Sequence, residues 1–173
     1  CRNASSGASQ GAPTAPLRAL VSQRRPCDCG VACLAMIAQV SYEHALAAFD
    51  ASGLGAPKRR RQYASNFRDL AECGRRIGFP LAMRRFPGWA DLPLVAILKV
   101  ACIGRPTRHW HWVVAARSRH GIAILDPWME CAQMLTRMDP DEAARYTPTG
   151  NMLVSVVDAD LQHWWSSFHD PLL

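Results

Sequence analysis

The stretch QRRPCDCGVACLAMIAQ, residues 23–39, decides the fold, because it joins a polar loop to an apolar segment and places three cysteines at the junction. Apolar residues fill nearly every position after Cys29, which predicts a largely buried helix beginning there. Pro26 keeps the preceding chain extended, and Asp28 is predicted to cap the helix. Cys29 is therefore expected in the first helical turn, and Cys33, one turn further along, is expected to face the core.

The whole chain is long enough for one hydrophobic core. Its 173 residues are 49% hydrophobic, which fits a single soluble domain, expected at residues 17–158. The longest apolar runs are too short, or are interrupted by Lys99, to cross a bilayer, which needs about 20 apolar residues. We expect no transmembrane segment. Residues 1–16 lack hydrophobic periodicity and are predicted to form a flexible leader, and residues 159–173 a C-terminal tail.

The cysteines and the first residue bear on the cellular location. Seven cysteines with irregular spacing exclude a complete disulfide framework and favour a cytoplasmic bacterial protein with reduced thiols. Residues 1–16 contain no charged segment followed by an apolar core, so no intact signal peptide is expected. The alternative is an extracytoplasmic lipoprotein anchored through Cys1, because a cysteine followed by a flexible linker is typical of mature bacterial lipoproteins.

The net charge of +6, from 20 basic and 14 acidic residues, comes largely from short arginine runs. A nucleic-acid-binding protein could have this composition. However, no aromatic residue interleaves with the KRRR run at residues 58–61 to provide a stacking platform. We therefore expect solvated basic faces and no nucleic-acid partner. The sequence does not specify an oligomeric state.

Helical patterns precede strand patterns along the chain. Ser41 is predicted to cap a second helix, and Asn66 a third that stops at Gly78, with an exposed loop at residues 51–64 between them. Four later runs are short and rich in β-branched residues, which predicts strands in LPLVAILKVA, HWHWVVAA, GIAILDP and NMLVSVVD. Helices followed by strands indicate an α+β fold, with N-terminal helices packed on a C-terminal antiparallel sheet.

The cysteine cluster could bind a metal or supply a nucleophile. Structural zinc sites usually draw on two paired ligand sets. Cys27 and Cys29 have the wrong spacing for such a pair, and His109 and His111 form a poor second one. We predict no metal and no cofactor. A thiol attacks as the thiolate, which the unpaired N–H groups in the first turn of a helix stabilise. Cys29 has that position.

A thiol nucleophile needs a base and a group that orients the base. Of the six histidines, only His109 and His111 lie in a predicted strand among aromatic residues. The next predicted strand ends at Asp126, where a carboxylate would lie beside the histidine strand. From the residues alone, either of these two histidines could be the base.

These motifs, in this order, resemble the double-glycine leader peptidases, the papain-like cysteine peptidases that process bacteriocin precursors, and their stand-alone bacterial relatives. In that family a glutamine lies six residues before the nucleophile in a Gln…Asp-Cys-Gly motif, as Gln23 does before Cys29. The family's His-aromatic-Val-Val strand matches at His111, and its Asp-Pro pair matches at Asp126. The resemblance extends over about residues 20–130 and more weakly to residue 157, where a helix and a closing strand would follow.

The resemblance implies a papain-like fold and a cysteine peptidase that acts on a peptide or protein. It implies that Cys29 attacks the carbonyl carbon, His111 carries the proton and Asp126 orients the imidazole. Gln23 and the backbone N–H of Cys29 would stabilise the oxyanion. Two other functions stay open. The same triad drives glutamine deamidation in papain-like bacterial toxins and effectors, and a non-catalytic module with this fold would bind a partner.

Overall fold

The computed structural model describes residues 20–58, 61–101, 110–118, 120–129, 132–148 and 150–155. The expected leader (1–16) and tail (159–173), together with Cys1 and His109, lie outside these residues. The boundaries of the expected domain at residues 17–158 therefore stay a prediction. Within the described ranges, no helix is long and apolar enough to cross a membrane.

The described residues form four α-helices and a single six-stranded sheet. The helices are α1 (Cys29–Ala38), α2 (Tyr42–Ala51), α3 (Phe67–Arg76) and α4 (Pro140–Arg145). The strands are β1 (Leu81–Arg85), β2 (Val95–Ala101), β3 (Trp110–Ser118), β4 (Gly121–Leu125), β5 (Gln133–Met134) and β6 (Asn151–Ser155). They lie in the order β1-β6-β2-β3-β4-β5, and all neighbouring strands are antiparallel. The predicted α+β fold is confirmed.

Two of the predicted helix starts carry the expected caps. The Ser41 side chain accepts a hydrogen bond from the backbone N–H of His44 at the start of α2. At the start of α3, Asn66 and Asp69 form a reciprocal capping box. These side chains satisfy backbone donors that have no partner within their own helix.

The predicted cap of α1 is wrong. Asp28 is the residue before the helix, but its side chain makes no capping hydrogen bond. Its carboxylate is fully buried and instead accepts hydrogen bonds from the Tyr42 hydroxyl and from the backbone N–H of Arg24, the latter at 3.1 Å. The difference arises because these two donors reach Asp28 from α2 and from the preceding loop, so the carboxylate ties both to the start of α1.

The segment at residues 51–64 is less exposed than predicted. Leu54 and Tyr63 are buried, because a hydrogen bond of 2.8 Å from the Tyr63 N–H to the Leu54 carbonyl folds the loop back on itself. The Tyr63 hydroxyl also donates to Asp50 at the end of α2. The charged side chains of Lys58 and Arg61 are exposed, as predicted.

Both faces of the central sheet are covered, which explains the nearly continuous apolar sequence of β2 and β3. On one face, α1 packs through Val31 and Leu34 against a cluster that includes Trp112. On the other face, Leu98 and Tyr146 belong to a second, smaller cluster. Helix α1 is thus held against the sheet close to the end of β3 that carries His111.

Candidate active site

His111 and Asp126 meet because their strands are neighbours. His111 is the second residue of β3, and Asp126 directly follows β4, which pairs with β3 in antiparallel register. The two side chains are buried, with exposed fractions of 8% and 4% for the residues. The Nε2 atom of His111 lies 2.6 Å from Oδ1 of Asp126. Such a short contact between buried groups is typical of a charge-assisted hydrogen bond.

Two further donors surround the Asp126 carboxylate. The backbone N–H of Trp128 donates to Oδ1 at 2.8 Å, and the hydroxyl of Tyr146 donates to Oδ2 at 3.1 Å. Burial raises the pKa of Asp126, but the hydrogen bonds from His111, Trp128 and Tyr146 lower it by more, so the net shift is downward. The carboxylate is therefore held as an anion at neutral pH.

Cys29 is the first residue of α1 and lines the same cavity as His111. Burial lowers the pKa of His111, but hydrogen bonds to Asp126 and Cys29 and the charges of both groups raise it to about 9. Because Nε2 faces Asp126, the second ring nitrogen, Nδ1, is the one left for the sulfur. His111 thus stands between a thiol and a carboxylate, and its protonated form is favoured at neutral pH.

The sulfur side of this arrangement opens into a cavity of about 180 Å³. Cys29 and His111 line it, and Trp110, Trp112 and Trp128 form much of its wall. Trp110 and Trp112 are fixed by hydrogen bonds from their indole N–H groups to the same backbone carbonyl, that of residue 65. The cavity is partly open, so a chain segment can reach the thiol although Cys29 itself is largely buried.

Gln23 lies near the aspartate loop but is not among the residues that line this cavity. Its backbone N–H donates to the carbonyl of Pro127 at 2.9 Å. Its side-chain Nε2 donates to the carbonyl of Arg25 at 3.0 Å, and its Oε1 is buried without a hydrogen-bond partner. The structure therefore brings Gln23 next to the Asp126-Pro127 pair, with one amide hydrogen directed at its own loop.

The other described cysteines differ from Cys29 in their surroundings. Cys33 is fully buried, as predicted, and burial, then the charges of Cys29 and Asp126, raise the pKa of its thiol. Burial also raises the pKa of Cys73. Cys27 is half-buried and lines the same cavity as Cys29, but it precedes α1 and has no helical turn behind it.

Sequence reasoning missed one residue of this site, Tyr146, at the end of α4. No local motif marks it, because a tyrosine after a short polar helix is unremarkable until the fold brings it to Asp126. Of the remaining histidines, His44 is exposed on α2 and makes no contact with the site. His109, the other candidate base, lies outside the described residues, as do His163 and His169.

A cysteine at the start of a buried helix, facing a histidine–aspartate pair on an adjoining antiparallel sheet, is the arrangement of the papain-like cysteine peptidases. A sequence model of the Peptidase C39 family matches residues 18–145. The chain therefore belongs to this family of double-glycine bacteriocin leader peptidases, and the predictions of the family and of a cysteine peptidase are confirmed. No curated protein matches the chain.

Proposed function

We propose that this peptidase cleaves its peptide substrate with Cys29 as nucleophile, His111 as proton carrier and Asp126 as the group that orients the imidazole. The observation that carries the proposal is the position of His111, which contacts the buried carboxylate through Nε2 at 2.6 Å and lines the same cavity as Cys29, whose charge helps to raise the pKa of the imidazole. A nucleophile, a base and an orienting group in contact are the minimum set for this chemistry.

The reaction follows from these contacts. The Cys29 thiolate attacks the scissile carbonyl carbon, and the tetrahedral intermediate collapses as the His111 imidazolium donates its proton to the leaving amine. The new C–S bond makes an acyl-enzyme. Water then attacks this thioester while His111 takes its proton, and the acid product leaves as the thiolate is restored. A pKa of about 9 for His111 supports the formation of the acyl-enzyme, because it keeps the imidazole protonated when the amine must depart.

The proposed oxyanion donors are the backbone N–H of Cys29 and the side-chain amide of Gln23. The N–H of Cys29 belongs to the first turn of α1, where backbone donors have no intrahelical partner. A primary amide carries two N–H groups, and Gln23 uses one on Arg25. The backbone bond to Pro127 holds Gln23 near Asp126, and its side chain would have to turn from Arg25 towards the cavity, which it does not line, to donate to an oxyanion. One such donor contributes about 3–4 kcal/mol to transition-state stabilisation.

The substrate is proposed to enter as an extended segment with small residues at the scissile bond. The three tryptophans around the cavity leave a narrow apolar space of about 180 Å³ in front of the thiol. Large side chains next to the scissile bond would have to displace Trp110 or Trp112, which are held by their shared hydrogen-bond acceptor.

Mass spectrometry of a peptide library tests the proposal. The library is incubated with the wild type, with Cys29→Ala and with Cys73→Ala, a matched control whose thiol is buried away from the cavity. We expect new peptide termini with the wild type and the control and none with Cys29→Ala. A shift of about one dalton on glutamine without new termini would mean deamidation through the same acyl-enzyme chemistry. No change of either kind would contradict catalysis and favour a binding module.

A further inference from the structure

We propose that Tyr146 is a positioning residue of this site, whose hydroxyl fixes the plane of the Asp126 carboxylate and thereby keeps His111 directed at Cys29. The inference rests on the proposed function of those three residues. Tyr146 lies just beyond the residues that match the family, 18–145.

The donors around Asp126 are unequally divided between its two oxygens. Oδ1 accepts from His111 Nε2 at 2.6 Å and from the backbone N–H of Trp128 at 2.8 Å. Oδ2 accepts from the Tyr146 hydroxyl at 3.1 Å. Rotation about the Cβ–Cγ bond moves both oxygens, and this terminal torsion is intrinsically broad. The bond from Tyr146 restrains the second oxygen and so adds to the hold on the carboxylate plane.

The Tyr146 ring is held firmly enough to do this. Tyr146 is 2% exposed and packs in the second apolar cluster against the sheet, together with Val100 and Val113. It is the C-cap residue of α4, whose start at Pro140 is preceded by the side-chain cap of Asp139. Both features fix the helix start. The hydroxyl therefore approaches Asp126 from a ring that is buried in this cluster.

The hydroxyl is a permanent donor in this position. Burial, followed by the charge of Asp126 and the hydrogen bond to it, raises the pKa of Tyr146 above its ordinary value, so the group is protonated at neutral pH. If Tyr146 served only to pack against the sheet, its aromatic ring without the hydroxyl would be sufficient. A cavity of about 320 Å³ is lined by Tyr146, Asp126 and His111 among others, so packing around these side chains is incomplete.

Replacing Tyr146 by Phe removes this donor and keeps the ring. Because the hydrogen bond from Tyr146 lowers the pKa of Asp126, its loss lets the carboxylate take up a proton at higher pH. The rate of Cys29 alkylation by iodoacetamide falls on the low-pH side of its pH profile, which we call the acid limb. We expect the acid limb to move to higher pH. We also expect kcat on a cleaved library peptide to fall roughly tenfold with KM unchanged, since the change acts on the chemical step.

A double-mutant cycle separates positioning from structural support. If Tyr146 acts through Asp126, Tyr146→Phe has no further effect on the acid limb or on kcat in an Asp126→Ala background, where no group at position 126 can accept from the hydroxyl. Tyr63→Phe is the matched control, because it removes a hydroxyl–carboxylate hydrogen bond of 3.0 Å, to Asp50, outside this site. It should leave both measurements unchanged.

Replacement of Tyr146 by 3-fluorotyrosine keeps the ring and hydroxyl, and so serves even if the Phe variant folds poorly. Its more acidic hydroxyl is a stronger donor and should move the acid limb in the opposite direction, to lower pH. An unmoved acid limb in both variants, or an equal loss of kcat in the wild-type and Asp126→Ala backgrounds, would overturn the role of Tyr146. If His111→Ala leaves Cys29 alkylation unchanged in the otherwise wild-type chain, the proposed triad itself fails, and the inference with it.

Discussion

Replacing Asp126 by Asn tests how much of the site depends on charge, because the change can keep every hydrogen bond. The amide oxygen of an asparagine at 126 can occupy the Oδ1 position and accept from His111 and from the N–H of Trp128, as the carboxylate does. Its NH₂ group then faces the Tyr146 oxygen in place of Oδ2. The variant thus removes one negative charge, 2.6 Å from the imidazole, and little else.

The expected consequence is a lower pKa of His111. Burial pulls this pKa down, and the contacts with Asp126 and Cys29 raise it to about 9. An opposite charge at contact distance shifts a pKa by about 1–3 units, which corresponds to about 1.4–4 kcal/mol. The pKa of His111 should therefore fall to about 6–8 in Asp126→Asn. Cys29→Ala should lower it too, because Cys29 also raises it.

NMR titration of the imidazole Cε1–H signals measures this pKa without a substrate. The signal of His111 is identified by its absence from the spectrum of His111→Gln, and the exposed His44 serves as an internal reference. The titration runs from about pH 5 to about pH 10, which brackets an ordinary histidine and the raised value. A His111 pKa that stays near 9 in Asp126→Asn would refute the assigned cause.

Three other substitutions probe the oxyanion donor and the frame of the site. Gln23→Ala should lower kcat about 100- to 1,000-fold while Cys29 alkylation by iodoacetamide is unchanged, because alkylation forms no oxyanion; parallel losses in both assays would contradict the role. Asn66→Ala removes the cap of α3 and should cost about 1 kcal/mol, seen as a lower Tm by calorimetry; an unchanged Tm would contradict it. Tyr42→Phe takes a donor from the buried Asp28 and should cost about 1–3 kcal/mol in urea unfolding, and a smaller loss would mean that the carboxylate finds another partner.

Local sequence signals predict much of this fold because they act over a few residues. The side chains of Ser41 and Asn66 cap their helices through partners three residues away, and the β-branched runs of the central strands need only their own composition. Strand β1 was missed because it is an edge strand of LAMRR, with its last three residues exposed, so it shows no alternation. Strand β5, at two residues, is too short to leave a pattern.

The candidate site also contains residues that local sequence signals predict and residues that they do not. Cys29, His111 and Asp126 stand in motifs that mark them along the chain, and the structure brings all three together. The residues that hold these three side chains in place do not stand in such motifs. Asp28 finds Tyr42 across 14 positions, and Asp126 finds Tyr146 across 20. Such contacts depend on how α2 and α4 pack on the rest of the molecule, and no local pattern encodes that packing. This is why the cap expected of Asp28 was wrong and Tyr146 was not foreseen.

The pH dependence of cysteine alkylation tests most directly whether His111 activates Cys29. Iodoacetamide is applied from about pH 5 to about pH 9, where ordinary thiols become reactive only towards the upper end, and labelled cysteines are mapped in the wild type, in His111→Ala and in the control His44→Ala. We predict that Cys29 is labelled well before Cys73, whose pKa burial raises, and that only His111→Ala abolishes this advantage. The proposed role of Cys29 as nucleophile would be contradicted if Cys29 were labelled no faster than Cys73 at low pH and if His111→Ala did not change its labelling.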